Sequence, residues 1–376
     1  MSFDEHQACV QQQELESALA LARRDGISIM GAGGFARALR VACQGQGIKV
    51  HAFIVSSRTQ VDNEIDGLTI HVWDTFPSDL LHYPIWIGIF NNHINAELTG
   101  LRKQCLALGF RDVRTPQEFF SWVAPAMGWR YWLAPLEGYR SQWPLIEQAR
   151  GLLVDDESRV AYDAIVSFRL GIVLDDPITL CAEQQYFPES LRRWMPASGC
   201  SYLDGGAYDG DTLRMAQSAL SPAQIYAFEP DPGNYQRLCA FTAGQASSVI
   251  QFPLGLSDTP AFLRFRSGQS DASSLDSEGD CTIQVAALDD LFRHTRIDFI
   301  KLDIEGSEIP ALQGACKLIA EAFPPFLAIA GYHRWDDLWR IPLLINDLSK
   351  NYKVVLKVHK SNSFDAVFYA YYQDHQ

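Results

Sequence analysis

Two stretches of this chain read as apolar strand, glycine turn and helix, and that shared pattern commits both halves to α/β architecture. The first is Ile27–Met30, followed by Gly31-Ala32-Gly33-Gly34-Phe35-Ala36 and a helix to about Gly45. The second is Ser201-Tyr202-Leu203-Asp204, followed by Gly205-Gly206-Ala207-Tyr208-Asp209-Gly210-Asp211-Thr212. A strand entering a helix through glycines is the first step of a parallel β-α-β unit.

Around the first turn, helical periodicity covers 11–24 and 94–108, the latter ending at Gly109, and strands are expected at 27–30, 50–55, 68–72 and 85–90. Residues 121–150 are rich in Trp, Tyr, Pro and Gly and read as a connector. Residues 155–170 read as an amphipathic helix. From residue 200 the α/β rhythm resumes. Strands are expected at 201–204, 225–229, 249–254, 261–266, 282–286, 298–303, 326–330, 353–358 and 366–371. Helices separate 201, 225, 249, 298 and 326, so these strands should be parallel. The pairs 261–266/282–286 and 353–358/366–371 have short connections and should be antiparallel. The fold class expected is α/β with two doubly wound Rossmann-like domains, the second a mixed sheet ending in an antiparallel pair. Its parts are a Rossmann-like domain over 1–120, a helical connector over 121–195 that adds to the substrate side, and a second domain over 196–376.

A length of 376 residues, 47% of them apolar, suits two cores. The formal charge of −14 argues against nucleic acid and anionic membrane surfaces as partners. The eight cysteines are scattered with no C-x-x-C pair, which points to reduced thiols in a cytoplasmic protein. The polar, acidic start differs from a secretory signal, and no apolar run nears the roughly 20 residues of a membrane span.

The two turns carry opposite chemistry. Gly31, Gly33 and Gly34 bring no acid, so bare N–H groups and a helix N-terminus can receive a phosphate. The next strand ends in Ser56, Ser57 and Arg58, with no carboxylate for a ribose. NAD(P), a nucleotide-sugar and a plain structural turn therefore remain open for this half. In the second turn Asp204 precedes the glycines. A carboxylate there repels a diphosphate and attracts an ammonium. Gly206 and Gly210 permit close backbone approach. Glu229, 25 residues later, stands where a carboxylate can accept both hydroxyls of a ribose. The expected ligand is S-adenosylmethionine. Lys301, Asp303 and Glu305 gather at the end of a further central strand.

The segments YLDGGAYDGDT, YAFEPDPGNY, LGLSD, ASSLD, VAALDDL, FIKLDIEGSEIPALQGA and AIAGYHRWDDLWRIP resemble the FkbM-type methyltransferase family. Asp204, Gly206, Ala207 and Gly210 match its D-x-G-A-x-x-G motif, while Tyr208 and Asp209 are particular to this chain. The resemblance implies methyl transfer from S-adenosylmethionine, usually to a hydroxyl of a sugar, polysaccharide precursor or natural product. The cofactor residues it implies are Asp204, Gly205, Gly206, Ala207, Gly210, Thr212, Glu229, Pro230, Ser257 and Asp303.

Attack by an alcohol must shed a proton. Asp303 or His333 is expected as general base, with Lys301 and Glu305 shaping the pocket. No metal site is expected, because no second clear carboxylate follows Ala330. The aromatics Trp122, Trp129, Tyr131, Trp132, Tyr139 and Trp143 suit either a sugar-stacking wall or interdomain packing. Trp335 and Trp339 either cover the acceptor or pack a helix. The partner expected is a small-molecule or glycan acceptor, with a homodimer as the assembly. The rival readings are a bifunctional protein whose front domain is an NAD(P)-dependent oxidoreductase, and a non-catalytic binding module.

Overall fold

The computed structural model describes residues 5–57, 63–172, 176–244, 248–266, 274–275, 279–320 and 323–372. Arg58 and most of the ASSLD stretch, all but Ser274 and Leu275, lie outside these. By packing the chain divides into two units. One holds 1–144, 161–180 and 360–364; the other holds 145–160, 181–359 and 365–376. The 121–195 segment is thus shared out between the units.

The first unit contains α1 (Glu5–Asp25), β1 (Ile27–Met30), α2 (Gly34–Gly45), β2 (Val50–Val55), β3 (Glu64–Ile65), β4 (Leu68–Val72), β5 (Ile85–Ile87), α3 (Leu98–Ala107), β6 (Val113–Arg114), α4 (Pro116–Met127) and α5 (Leu136–Ser141). Its sheet order is β3-β4-β2-β1-β5-β6. Every pairing is parallel except β3 with β4. The strand expected over 85–90 stops at Ile87. A side chain at Gly88 would meet Ile29 and Ala36 at 2.5 and 2.9 Å, so the chain leaves the ladder where only glycine passes. The helix expected from 94 begins as a 3₁₀ turn over Ile94–Ala96. It becomes α-helical only after Glu97, whose carboxylate accepts from the N–H groups of Thr99 and Gly100.

Helices α6 (Trp143–Gly151) and α7 (Asp156–Arg169) span the points where the chain passes between units. The second unit continues with β7 (Ser201–Gly205), α8 (Asp211–Leu220), β8 (Gln224–Phe228), α9 (Pro232–Thr242), β9 (Ser248–Phe252), β10 (Gly255–Leu256), β11 (Ala261–Arg266), β12 (Ser274–Leu275), β13 (Cys281–Ala286), α10 (Leu288–Leu291), β14 (Phe299–Leu302), α11 (Glu308–Gln313), α12 (Cys316–Ala320), β15 (Phe326–Ala330), α13 (Asp337–Leu348), β16 (Tyr352–Val358) and β17 (Ala366–Tyr372).

Its main sheet runs β16-β17-β15-β14-β7-β8-β9. The five strands from β15 to β9 are parallel, and β17 and β16 finish the sheet antiparallel, as the pattern of connections implies. Strands β14 and β15 are buried at every position, and every residue in them except Lys301 is apolar. Strand β11 alternates in exposure because one of its faces is wet. The β11/β13 hairpin belongs to a separate four-stranded sheet, β10-β13-β11-β12, rather than to the main one. The core packs Leu213, Ala216 and Leu238 from helices α8 and α9 against Tyr202, Phe299, Ala328 and Tyr369 of the sheet. No helix among the described residues is long and apolar enough to cross a membrane.

Candidate active site

The site forms at the carboxyl ends of β7, β8, β14 and β15. Strand order reverses between β7 and β14: from β7 the chain builds outward through β8 and β9, then returns to add β14 on the other side. A crevice opens at such a point in a doubly wound sheet. Register puts Lys301 directly beside Asp204 and Leu302 beside Gly205.

Cross-strand neighbours share a face, and here they form an ion pair. Lys301 Nζ lies 2.9 Å from Asp204 Oδ1, with the side chains 1% and 0% exposed. The ammonium also donates to the carbonyls of Gly205 and Gly206 at 3.1 and 2.7 Å. Burial alone would lower the Lys301 pKa, yet Asp204 and Asp303 together hold it above the usual lysine value. Asp204 further accepts from the hydroxyls of Tyr202 and Thr212. Asp204, expected as a cofactor residue, thus has Lys301, Tyr202 and Thr212 around its carboxylate at the head of the turn.

The turn itself is held at close quarters. Gly206 has φ +80°, and a Cβ there would lie 2.0 Å from the carbonyl oxygen of Asp303. Gly210 has φ +94° and lies under the Phe241 ring. The N–H groups of Gly206 and Ala207 donate to Phe228 O at 3.0 and 2.9 Å. Tyr208 N–H donates to Glu229 Oε2 at 2.9 Å. The other Glu229 oxygen accepts from Asp231 N at 2.9 Å and Asn234 Nδ2 at 3.4 Å. Glu229 is 5% exposed. Desolvation outweighs these donors and pushes its pKa up from 4.5 to about 7. After Pro230, Asp231 caps α9 through the N–H groups of Gly233 and Asn234. Ser257 keeps other company: its N–H bonds Ala286 O, and its hydroxyl donates to Asp258.

Beyond β14 a second group assembles. Asp303 Oδ2 accepts from Tyr186 OH at 2.6 Å, and Oδ1 accepts from Tyr332 OH at 3.3 Å. His333 follows β15 and is fully buried; its Nε2 lies 3.3 Å from Asp303 Oδ1 and 3.4 Å from Glu305 Oε1. Its Nδ1 lies 2.8 Å from Glu308 Oε1, which also accepts from Ile304 N–H. Glu305 has φ +53°, an uncommon backbone for a residue with a side chain, and Gly306 follows at +93°. That bend turns Glu305 back toward the imidazole. Burial by itself would lower the His333 pKa; Glu305 and Glu308 outweigh it and hold it well above the usual value. For Asp303 burial works upward, and Lys301 and His333 more than reverse it, leaving its pKa lowered.

Asp303, Lys301, Glu305 and His333 are therefore brought to one place, as their spacing implies. Tyr186 and Glu308 complete the group without having been anticipated. Tyr186 comes from an irregular stretch with no periodic signal. Glu308 sits in the KLDIEGSE segment, where an acid opening a helix reads as ordinary capping.

The aromatics of 121–145 pack within the first unit. Trp132 is fully buried against Phe90, Phe168 and Phe364, and Trp122 tilts against Trp86. Neither an acceptor wall nor a seam between domains is needed to explain these two. Trp339 is buried in α13, with Trp335 edge-on to it. The first unit has its own cavity of about 1120 Å³ at the ends of β1, β2 and β5, lined by Gly31, Gly33, Gly34, Ser56, Trp73 and Asn91 among others.

Residues 204–367 match the model of the methyltransferase FkbM domain. This part of the chain is an FkbM methyltransferase domain. Its first residue is the turn acid Asp204, and the span takes in Asp303, Glu305, Glu308 and His333, while Tyr186 precedes it. The crystal structure of methyltransferase FkbM from Methylobacillus flagellatus KT superposes with a TM-score of 0.69 at 21% identity, covering 96% of this chain and 99% of that one, so the two share a fold. The hexuronic acid methyltransferase AglP of Haloferax volcanii is 29% identical over 98 residues, which is 24% of this chain. The match spans 41% of that relative's length.

Proposed function

We propose that this chain transfers a methyl group from S-adenosylmethionine to a hydroxyl of a sugar or glycan precursor. The observation that carries the reading is Glu229: a buried acid at the tip of β8, tied to the glycine turn of β7 within an FkbM methyltransferase domain. A carboxylate so desolvated gains most from two hydroxyl donors, and the ribose of the methyl donor offers both. Gly206, where a side chain would strike the Asp303 carbonyl, lets the turn pack close against the end of β14 and so fixes its place beside Glu229. These residues fit the cofactor, except that Asp204 is already matched by Lys301.

When bound, S-adenosylmethionine supplies an electrophilic methyl group on a sulfonium. With the donor in place, the Asp303–Glu305–His333 group would hold the acceptor hydroxyl and receive the proton it sheds. Tyr186 and Tyr332 hold Asp303, and Glu308 holds His333, so little reorganisation is left for the moment of transfer. The sugar class rests on AglP, whose name gives a hexuronic acid as acceptor.

Calorimetric titration with S-adenosylmethionine, S-adenosylhomocysteine and NADPH tests the donor. Binding of the first two is the expected result, and binding of NADPH alone overturns it. Transfer of labelled methyl to uronic-acid acceptors over neutral sugars is expected in the same preparation.

A further inference from the structure

We propose that Asp303, Glu305 and His333 form a site for one hard divalent cation of the Mg²⁺ or Mn²⁺ kind, positioned to take neighbouring oxygens of the acceptor. The link to the acceptor rests on the methyl-transfer reading; the cation site rests on the geometry of these residues.

One ligand atom from each of the three lies within 4.8 Å of the others. Nε2 stands 3.3 Å from one carboxylate oxygen and 3.4 Å from the other. Two ligands each ~2.1 Å from a cation at a right angle stand about 3.0 Å apart, close to both imidazole–carboxylate separations. Two carboxylates and one imidazole favour a hard cation over a thiophilic one.

The surroundings have the form of a metal site's outer support. Glu308 lies against Nδ1 at 2.8 Å, with both groups fully buried, which leaves Nε2 to face Asp303 and Glu305. A carboxylate behind a ligating imidazole fixes its ring and tautomer. Tyr186 and Tyr332 do the same for Asp303. The strained φ of +53° at Glu305 is what points its carboxylate inward.

Charge leads to the same conclusion. Asp303, Glu305 and Glu308 bring three carboxylates around one imidazole, while Lys301 is committed to Asp204. The Asp303 and Glu305 side chains are only partly buried, and a surplus of negative charge held this close is costly unless a cation meets it. Three protein ligands also leave three octahedral positions open, enough for two acceptor oxygens and a water.

The test is titration of full-length, EDTA-treated and dialysed protein with Mn²⁺, following the loss of the free-ion electron paramagnetic resonance signal. One Mn²⁺ per chain, displaced by excess Mg²⁺, is expected. Glu305→Gln, Asp303→Asn and Glu308→Gln should each weaken binding tenfold or more, with folding checked by circular dichroism. Glu157→Gln, at an exposed position, should bind like wild type. No loss of free signal with wild type overturns the site, as does unchanged affinity in the folded Glu305→Gln protein. Titration of S-adenosylmethionine into the EDTA-treated protein is read separately: failure there removes the methyl-donor reading and leaves the Mn²⁺ result to judge the cation site.

Discussion

Glu229 shows how one side chain can carry both a binding role and a measurable penalty. Its carboxyl titrates near 4.5 in the unfolded chain and about 7 in the folded one. Below pH 4.5 both forms hold the proton and nothing is lost. Between 4.5 and 7 the unfolded chain releases its proton first, so stability falls as pH rises, by about 3 kcal/mol in all for this group. In denaturant titrations at pH 5 and pH 8, wild type should lose more stability than Glu229→Gln by roughly that amount. The ligand moves the other way. Hydroxyl donors favour the ionised carboxylate, so affinity for S-adenosylmethionine should rise from pH 6 to pH 8 in wild type and stay flatter in Glu229→Gln. Equal pH profiles for the two proteins would remove Glu229 from the donor site. Residue identity alone announced this position through its distance from Asp204. The pairing of Asp204 itself with Lys301 was not legible, because it depends on which two strands become neighbours.

At the scale of elements, the two strand–turn–helix units look alike in sequence and differ in tolerance. Gly206 is pressed against the Asp303 carbonyl and has positive φ, so a methyl group there must displace main chain. Gly33 has φ −76° and open space where a Cβ would go. Gly206→Ala should lower the melting temperature and abolish donor binding. Gly33→Ala should change stability by less than about 0.5 kcal/mol. Scanning calorimetry of the two variants decides the matter, and equal behaviour would mean that the second turn is not packed as described. The strands themselves were legible nearly throughout, since apolar runs and alternation report burial directly. Element ends were less so. The early stop of the fifth strand at Ile87 comes from Ile29 and Ala36 crowding Gly88, and the late start of α3 comes from Glu97 turning back on its own helix.

The molecule as a whole is built from two units that each borrow distant pieces of chain. Residues 360–364 lie between the last two strands in sequence, yet pack in the first unit. There Asn362 accepts from Leu98 N–H and donates to the carbonyls of Asn91 and Ala96. Removing a side chain that meets three main-chain groups, two of them in buried bonds, costs about 1–3 kcal/mol. Asn362→Ala should therefore speed hydrogen exchange around 91–98, more than 250 residues away in sequence; protection equal to wild type there would refute the contact. Local pattern alone settled what these residues could be: strands, glycine turns, acids at strand tips, and with them the α/β class and the methyltransferase resemblance. Periodicity and composition act over a few residues and need no knowledge of the rest of the chain. Which tips stand together was decided only by the fold. Strand order brings Lys301 to Asp204, a bend at Glu305 faces it to His333, and Tyr186 arrives from an unpatterned stretch, because long-range packing selects partners that no local spacing encodes.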